Sequence, residues 1–403
     1  MIGACPACAG SFIRTAALAV LLPVIGVSAA AAHAPDPQDS EVDETLAPAL
    51  IAGPFAFPWS LGFLPDGSIL VTERVGRLRL VAPDGGLRVV SGLPPMLAIG
   101  RDGQAGLLDV AVDPRFSDNG LVYLSYTHGP RDRSVLRVLR ARLDATARLQ
   151  DRMIIYESTP ARVPELFGGR LAVTADGYLF AGLGDRFARE RAQDLGDPAG
   201  SIIRIRTDGA VPLDNPFATV PGARPEIWSY GHRNLLGLAL DDQGRLWSHE
   251  NGPYGGDELN LIQPGRNYGW PIISHGVEYP KPPPSERRGP TTIEGTVKEG
   301  MEQPLHVWTP AVAPSGLALE PVDGSLVFWI GGLAAQSLIA LEMRDGVVVD
   351  EEHHLVEVLG RIRDVRRGPD GFLYVLSDGP EGMLYRLDPL TEHAGRRLRT
   401  RRM

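Results

Sequence analysis

Six times along this 403-residue chain, an apolar or alternating run of about five residues breaks at an Asp/Gly/Pro turn and resumes as a second β-rich run. The units are WSLGFLPDGSILVTERVGRLRLV from Trp59, LLDVAVDPRFSDNGLVYLSYTH from Leu107, GRLAVTADGYLFAGLGD from Gly169, LLGLALDDQGRLWSHENG from Leu235, PSGLALEPVDGSLVFWIGGL from Pro314 and IRDVRRGPDGFLYVLSDGPEGMLYRL from Ile362. Alternation gives each strand one face to bury, and the turn residues let the chain reverse tightly, so each unit reads as a hairpin. The turns at Asp66, Asp113, Asp176, Gln243, Asp323 and Asp370 are 47 to 80 residues apart. That fits four-stranded blades of roughly 40 to 50 residues with insertions between them. No long window carries the 3.6-residue apolar period that a helical solenoid requires. The expected fold is therefore all-β: a six-bladed β-propeller with four-stranded antiparallel blades over residues 45–390, its last blade completed by the segment from Leu46 to Pro54.

The ends of the chain differ from this middle. Residues 1–32 hold one basic residue, Arg14, then the apolar run AALAVLLPVIGVSAAAA and a small-residue A-x-A site at Ala30–Ala32. This reads as a cleaved signal peptide, with a retained N-terminal anchor as the alternative, and it predicts export to a periplasm or the medium. Cys5 and Cys8, the only cysteines, lie in this leader, so the mature chain has no disulfide. Residues 33–44 are polar and Pro-containing and read as a flexible leader, while 391–403 form a basic tail. No membrane span is expected in the mature chain. The net charge of −9 argues against nucleic acid or an anionic membrane as partner. Gly/Pro-rich stretches at 187–226 and 273–310 read as long insertions on one face, over the channel, where a site is expected.

The polar residues cluster. SYGHRN at 229–234 and HENGPYGGDELN at 249–260 bring Arg233, Asn234, Glu250, Asp257 and Glu258 among glycines whose carbonyls lie bare. Hard cations take oxygens in such loops, although a solvated acidic loop explains the cluster as well. In GRIRDV, Arg361 and Arg363 alternate and point the same way from a strand. They suit a polycarboxylate or phosphate held bidentately, or two surface salt bridges. Gln104 and Trp308 join the candidates, and His353 and His354, behind two glutamates, read as solvated. There is no Walker loop, no HExxH and no G-x-S-x-G.

With GQAGLLDVAVDPRF, GGRLAVTADGYLFAGLGDR, DGAVPLDNPF, EIWSYGHRN, NGPYGGDELNLIQPGRNYGWP, VWTPAVAPSG and GRIRDVRRGPDGFLYVL in this order from about residue 50 to 388, the chain resembles the soluble quinoprotein glucose and aldose sugar dehydrogenases, the glucose/sorbosone dehydrogenase family. The resemblance implies oxidation of an aldose at its anomeric carbon by pyrroloquinoline quinone, with calcium polarising the quinone and an electron acceptor of unknown identity. It matches Gln104, Arg233, Asn234, Arg361 and Arg363 to quinone contacts, and Gly252 and Pro253 to main-chain calcium ligands. Glu258 and Tyr268 match a further calcium site, and Trp308 a wall of the sugar site beside Leu166.

It also implies a catalytic histidine where this chain has Leu166, with the base's carboxylate partner kept as Asp185. Ala334 stands where the family has lysine, Leu235-Leu236 where it has Pro-Gln, and Asn251 where it has His or Gln. Asp185, Arg233, Asp257 and His249 make up the catalytic candidates, with Asp185, Glu165 or His249 as the substitute base. Three functions follow: an active quinone-dependent sugar dehydrogenase using another base; a catalytically weakened propeller that binds a sugar, quinone or protein partner; or a calcium-dependent lactonase-like hydrolase, which has fold analogy alone behind it.

Overall fold

The computed structural model describes residues 46–99, 103–279 and 293–389. The leader at 1–32, the segment 33–44 and the tail 391–403 lie outside them. Six four-stranded antiparallel sheets form the blades of a propeller. In blades one to five the chain moves outward from the innermost strand: Pro58–Phe63, Leu107–Val112, Gly168–Val173, Leu235–Leu240 and Pro314–Val322. Blade six has Ile362–Arg367 innermost, and its outer edge is Leu46–Phe55, which pairs antiparallel with the last strand, Gly382–Pro389. The ring is thus closed by pairing an early strand with the last one, which ties the two ends of the propeller together. All six turns identified above join the first and second strands of a blade.

The apolar residues sort by blade pair. Among the described residues, six buried clusters lie along the blade junctions: Leu70, Leu80, Val110 and Leu139 between blades one and two, for example, and Ala52, Phe55, Leu61 and Val71 between six and one. Strands here are buried on both faces because each blade is sandwiched, which is why several units read as apolar runs rather than clean alternation.

Two long stretches are not single insertions. Ser201–Arg206, within 187–226, is the third strand of blade three, and His306–Trp308, within 273–310, is the outer strand of blade four. The first is six residues and the second three, short enough to be lost among flanking Gly and Pro. His354 is also not solvated: it is buried against the Trp329 ring, while His353 beside it is exposed.

Candidate functional site

At the end of the channel where the innermost strands begin, a cavity of about 660 Å³ draws residues from all six blades. Two kinds of loop build it. One enters the innermost strand and carries Gln104, Leu166, Arg233–Asn234, Ala313 and Arg361; the other leaves the second strand. Arg74, Asn251, Leu333 and Asp378 are each the first residue after the second strand of blades one, four, five and six. Arg74 and Asp378 escape a reading of single motifs, but superposing the six repeats on their second strands points to both.

Arginines dominate the lining. Arg361 and Arg363 both pair with Asp378, at 3.1 Å each. Burial pushes the Asp378 carboxyl up, yet Arg363 and Arg361 hold it below the usual carboxylate range. Arg74 is buried, lies over the Phe57 ring, donates to the Gly103 carbonyl, and keeps its Nε without a partner. Burial and then Arg363 push its guanidinium down to about 10. Arg233 donates from Nη1 to the carbonyls of Asn251 at 3.0 Å and Gly252 at 2.6 Å. Among the described residues, four arginines therefore face three carboxylates, Glu165, Asp257 and Asp378, a balance that favours an anionic ligand.

The amides form the wall between blades. Gln104 Oε1 accepts from the Leu166 amide at 2.8 Å, and Asn234 Oδ1 from the Gly168 amide at 3.3 Å. Asn234 in turn donates to Asn251 Oδ1 at 3.2 Å. Leu166 is 5% exposed, lines the cavity and has φ 48°, a left-handed backbone uncommon for a bulky residue. The loop keeps it because Gly184 packs on its carbonyl, where a Cβ would come within 2.1 Å.

Five expected site residues lie outside the cavity lining, Glu258 on the third strand of blade four among them. His249 is on the second strand of blade four, fully buried, with Nε2 2.8 Å from the Gly316 carbonyl. Asp185 is buried behind the wall; its oxygens accept from Trp270 Nε1 and the Phe187 amide, both at 2.8 Å. Neither lines the cavity. Trp308 is not a cavity wall but part of the core between blades four and five, its Nε1 3.2 Å from Glu351. Tyr268 is buried and stacks on His232 at 4.6 Å. Gly252, Pro253 and Asp257 do line the cavity.

Two cation seats can be tested on their oxygens. At Gly252 the carbonyl already serves Arg233, so a metal there competes with the guanidinium. Around Glu258 the donor set fits a hard cation better: burial, then Glu250 and Asp257, raise its carboxyl, and Asn260 Oδ1 nearby is buried without a partner. Among the described residues, no three His, Cys, Asp or Glu side chains converge as a metal cluster.

A family model described as Glucose / Sorbosone dehydrogenase matches residues 55–386. Aldose sugar dehydrogenase YliI of Escherichia coli is 37% identical over 92% of this chain and 98% of its own. A crystal structure of a glucose dehydrogenase, 41% identical, superposes with a TM-score of 0.78 over 85% of this chain and 99% of that one. The PQQ-bound form of an aldose sugar dehydrogenase from Streptomyces coelicolor, 28% identical, reaches a TM-score of 0.70 over 86% and 98%.

Proposed function

The chain belongs to the glucose/sorbosone dehydrogenase family, and from that premise we propose that it oxidises an aldose sugar at the anomeric carbon with pyrroloquinoline quinone bound in the channel-mouth cavity. One observation carries the proposal: Arg74, Arg233, Arg361 and Arg363 line a single cavity of ligand size. A quinone bearing three carboxylates needs such cations, and Arg74 keeps a buried Nε unused. When bound, the quinone supplies a hydride acceptor beside the sugar.

The chain's own residues do the rest. Gln104 and Asn234 hold the loop of Leu166 and Gly168 by its amides. Arg233, lying between the Trp270 and Tyr279 rings at 5.4 and 5.9 Å, is confined to the floor near Gly252. A calcium ion on Gly252 and Pro253 requires Arg233 to turn toward the ligand, and Glu258 with Asn260 and Tyr268 would hold a second. The apolar leader supports export, so the reaction would take place in the periplasm or the medium and pass its electrons to an acceptor there.

A second reading, cofactor binding without turnover, draws on Leu166, which gives the cavity an apolar wall where the resemblance puts the base. Purified chain titrated with pyrroloquinoline quinone and calcium separates the two. The dehydrogenase is expected to shift the quinone spectrum and reduce an artificial dye with at least one aldose. A spectral shift with no dye reduction by any aldose transfers the assignment to the second reading, and no shift at all overturns both.

A further inference from the structure

Oxidising a sugar hydroxyl releases a proton, so the cavity needs a group to take it. Among the described residues no histidine lines it, and the three carboxylates that do differ in what they are free to do. Asp257 uses both oxygens on the chain: Oδ1 accepts from the Gly252 amide at 2.9 Å and Oδ2 from the Ala313 amide at 2.7 Å. Asp378 is engaged by both Arg361 and Arg363. Glu165 is different. Its side chain lines the cavity and is half-buried, and its Oε2 has no hydrogen-bond partner among the described residues. Its backbone is nonetheless fixed on either side, since its carbonyl accepts from Arg186 Nε at 2.8 Å and the next amide donates to Gln104. Arg131 and Arg186 are its charged neighbours, and burial outweighs them to raise the carboxyl above its usual range. Such a group takes a proton more readily near neutral pH than an ordinary glutamate does.

We propose that Glu165 is the catalytic base of this chain. Its carboxylate removes the hydroxyl proton at the anomeric carbon while the C–H bond there breaks, its electron pair leaving as hydride to the quinone and the C–O bond becoming a carbonyl. The proposal rests on the dehydrogenase reading above. It assigns the proton to the residue just before Leu166 and releases Asp185 and His249 from that role.

The test compares the full chain with Glu165→Gln and Glu165→Asp, each loaded with quinone and calcium. For Glu165→Gln, kcat with the best aldose is expected to fall by about 10² to 10⁴, with quinone affinity from a spectral titration within about twofold of the parent. Glu165→Asp is expected to recover part of the loss, and the acid limb of the parent's kcat profile is expected to disappear in the Gln variant. In the quinone-free chain, ¹³C-carboxyl NMR should show a glutamate titrating above its ordinary range that is missing from the Gln variant. A Gln variant within about threefold of a working parent overturns Glu165 as base and leaves the dehydrogenase standing. A fall in quinone affinity that matches the fall in kcat also overturns it, making Glu165 a cofactor-holding residue. A parent that binds quinone but oxidises no aldose overturns the dehydrogenase reading and the base with it. If the Gln variant does not fold, the Asp variant and the parent's NMR titration decide: an ordinary midpoint with an unchanged kcat profile in Glu165→Asp counts against the base.

Discussion

On the second strand of blade four, His249 lies with its Nε2 against the Gly316 carbonyl and its ring against Gly237, where a Cβ would come within 2.2 Å of Nε2. Its other ring nitrogen is buried without a partner. Burial pushes its pKa down to about 4, below the 6.5 of an unfolded histidine. Between those values the unfolded chain binds the proton and the folded chain does not. The contribution of neutral His249 is therefore complete above pH 6.5 and is lost as pH falls toward 4. Denaturant unfolding across that range should lose on the order of 3 kcal/mol from this one group. His249→Gln should flatten the pH slope by that amount, and equal slopes in parent and variant would refute the assignment. The residue type suggested a base; its strand position, facing the next blade, makes it a packing residue.

At the scale of elements, the site depends on how strands end. Arg74 follows the strand Ile69–Glu73, and its carbonyl meets Gly106 of the next blade so closely that a Cβ there would come within 1.9 Å. Gly106 has φ 154° and is held by Thr127, whose Oγ1 accepts its amide at 2.9 Å. If Arg74 binds a quinone carboxylate, Arg74→Ala should weaken quinone affinity roughly 10- to 100-fold, the worth of one charge-assisted hydrogen bond, with little change in melting temperature. Gly106→Ala should weaken quinone binding likewise and also lower the melting temperature, because it wedges the two blades apart. Spectral titration and thermal melts check both; unchanged affinity in Arg74→Ala removes it from the anion site. This element logic also explains what the sequence disclosed. Six hairpins are local, set by alternation and a turn, and so are legible. Arg361 and Arg363 were found because alternation carries across the entry into the strand Ile362–Arg367 and aims them at the same carboxylate, Asp378. Trp308 and Asp185 were misplaced because only the packing of one blade on the next decides whether a side chain faces the cavity or the core. Arg74 was missed because it is seated by loop residues outside the repeat motifs, Phe57 ahead of its own blade and Gly103 ahead of the next.

Across the whole molecule, one guanidinium gathers the ring. Arg170, on the innermost strand of blade three, reaches Asp364 of blade six at 3.0 Å and Asp109 of blade two at 3.6 Å. It donates to the Leu236 carbonyl of blade four at 2.7 Å and lies over the Trp59 ring of blade one at 4.1 Å. It also donates to the Arg363 carbonyl at 3.3 Å, an oxygen that accepts from Ser315 of blade five at 2.7 Å. Asp364 and Asp109 serve in turn the amides of Leu61 and Leu171. A buried pair of this kind adds little net stability over an apolar packing, but removing Arg170 leaves two buried carboxylates to share Arg366, which lies 3.2 Å from each. Arg170→Met should therefore cost about 3–5 kcal/mol, whereas adding Asp109→Asn and Asp364→Asn should return part of that loss. Because Arg170 also fixes the backbone of Arg363, the single variant should weaken quinone binding without touching the cavity. Unfolding and quinone titrations on the same samples check both effects. A cost below about 1 kcal/mol would mean that the six inter-blade cores and the Leu46–Phe55 closure hold the ring unaided, leaving Arg170 no more than an exposed ion pair would give.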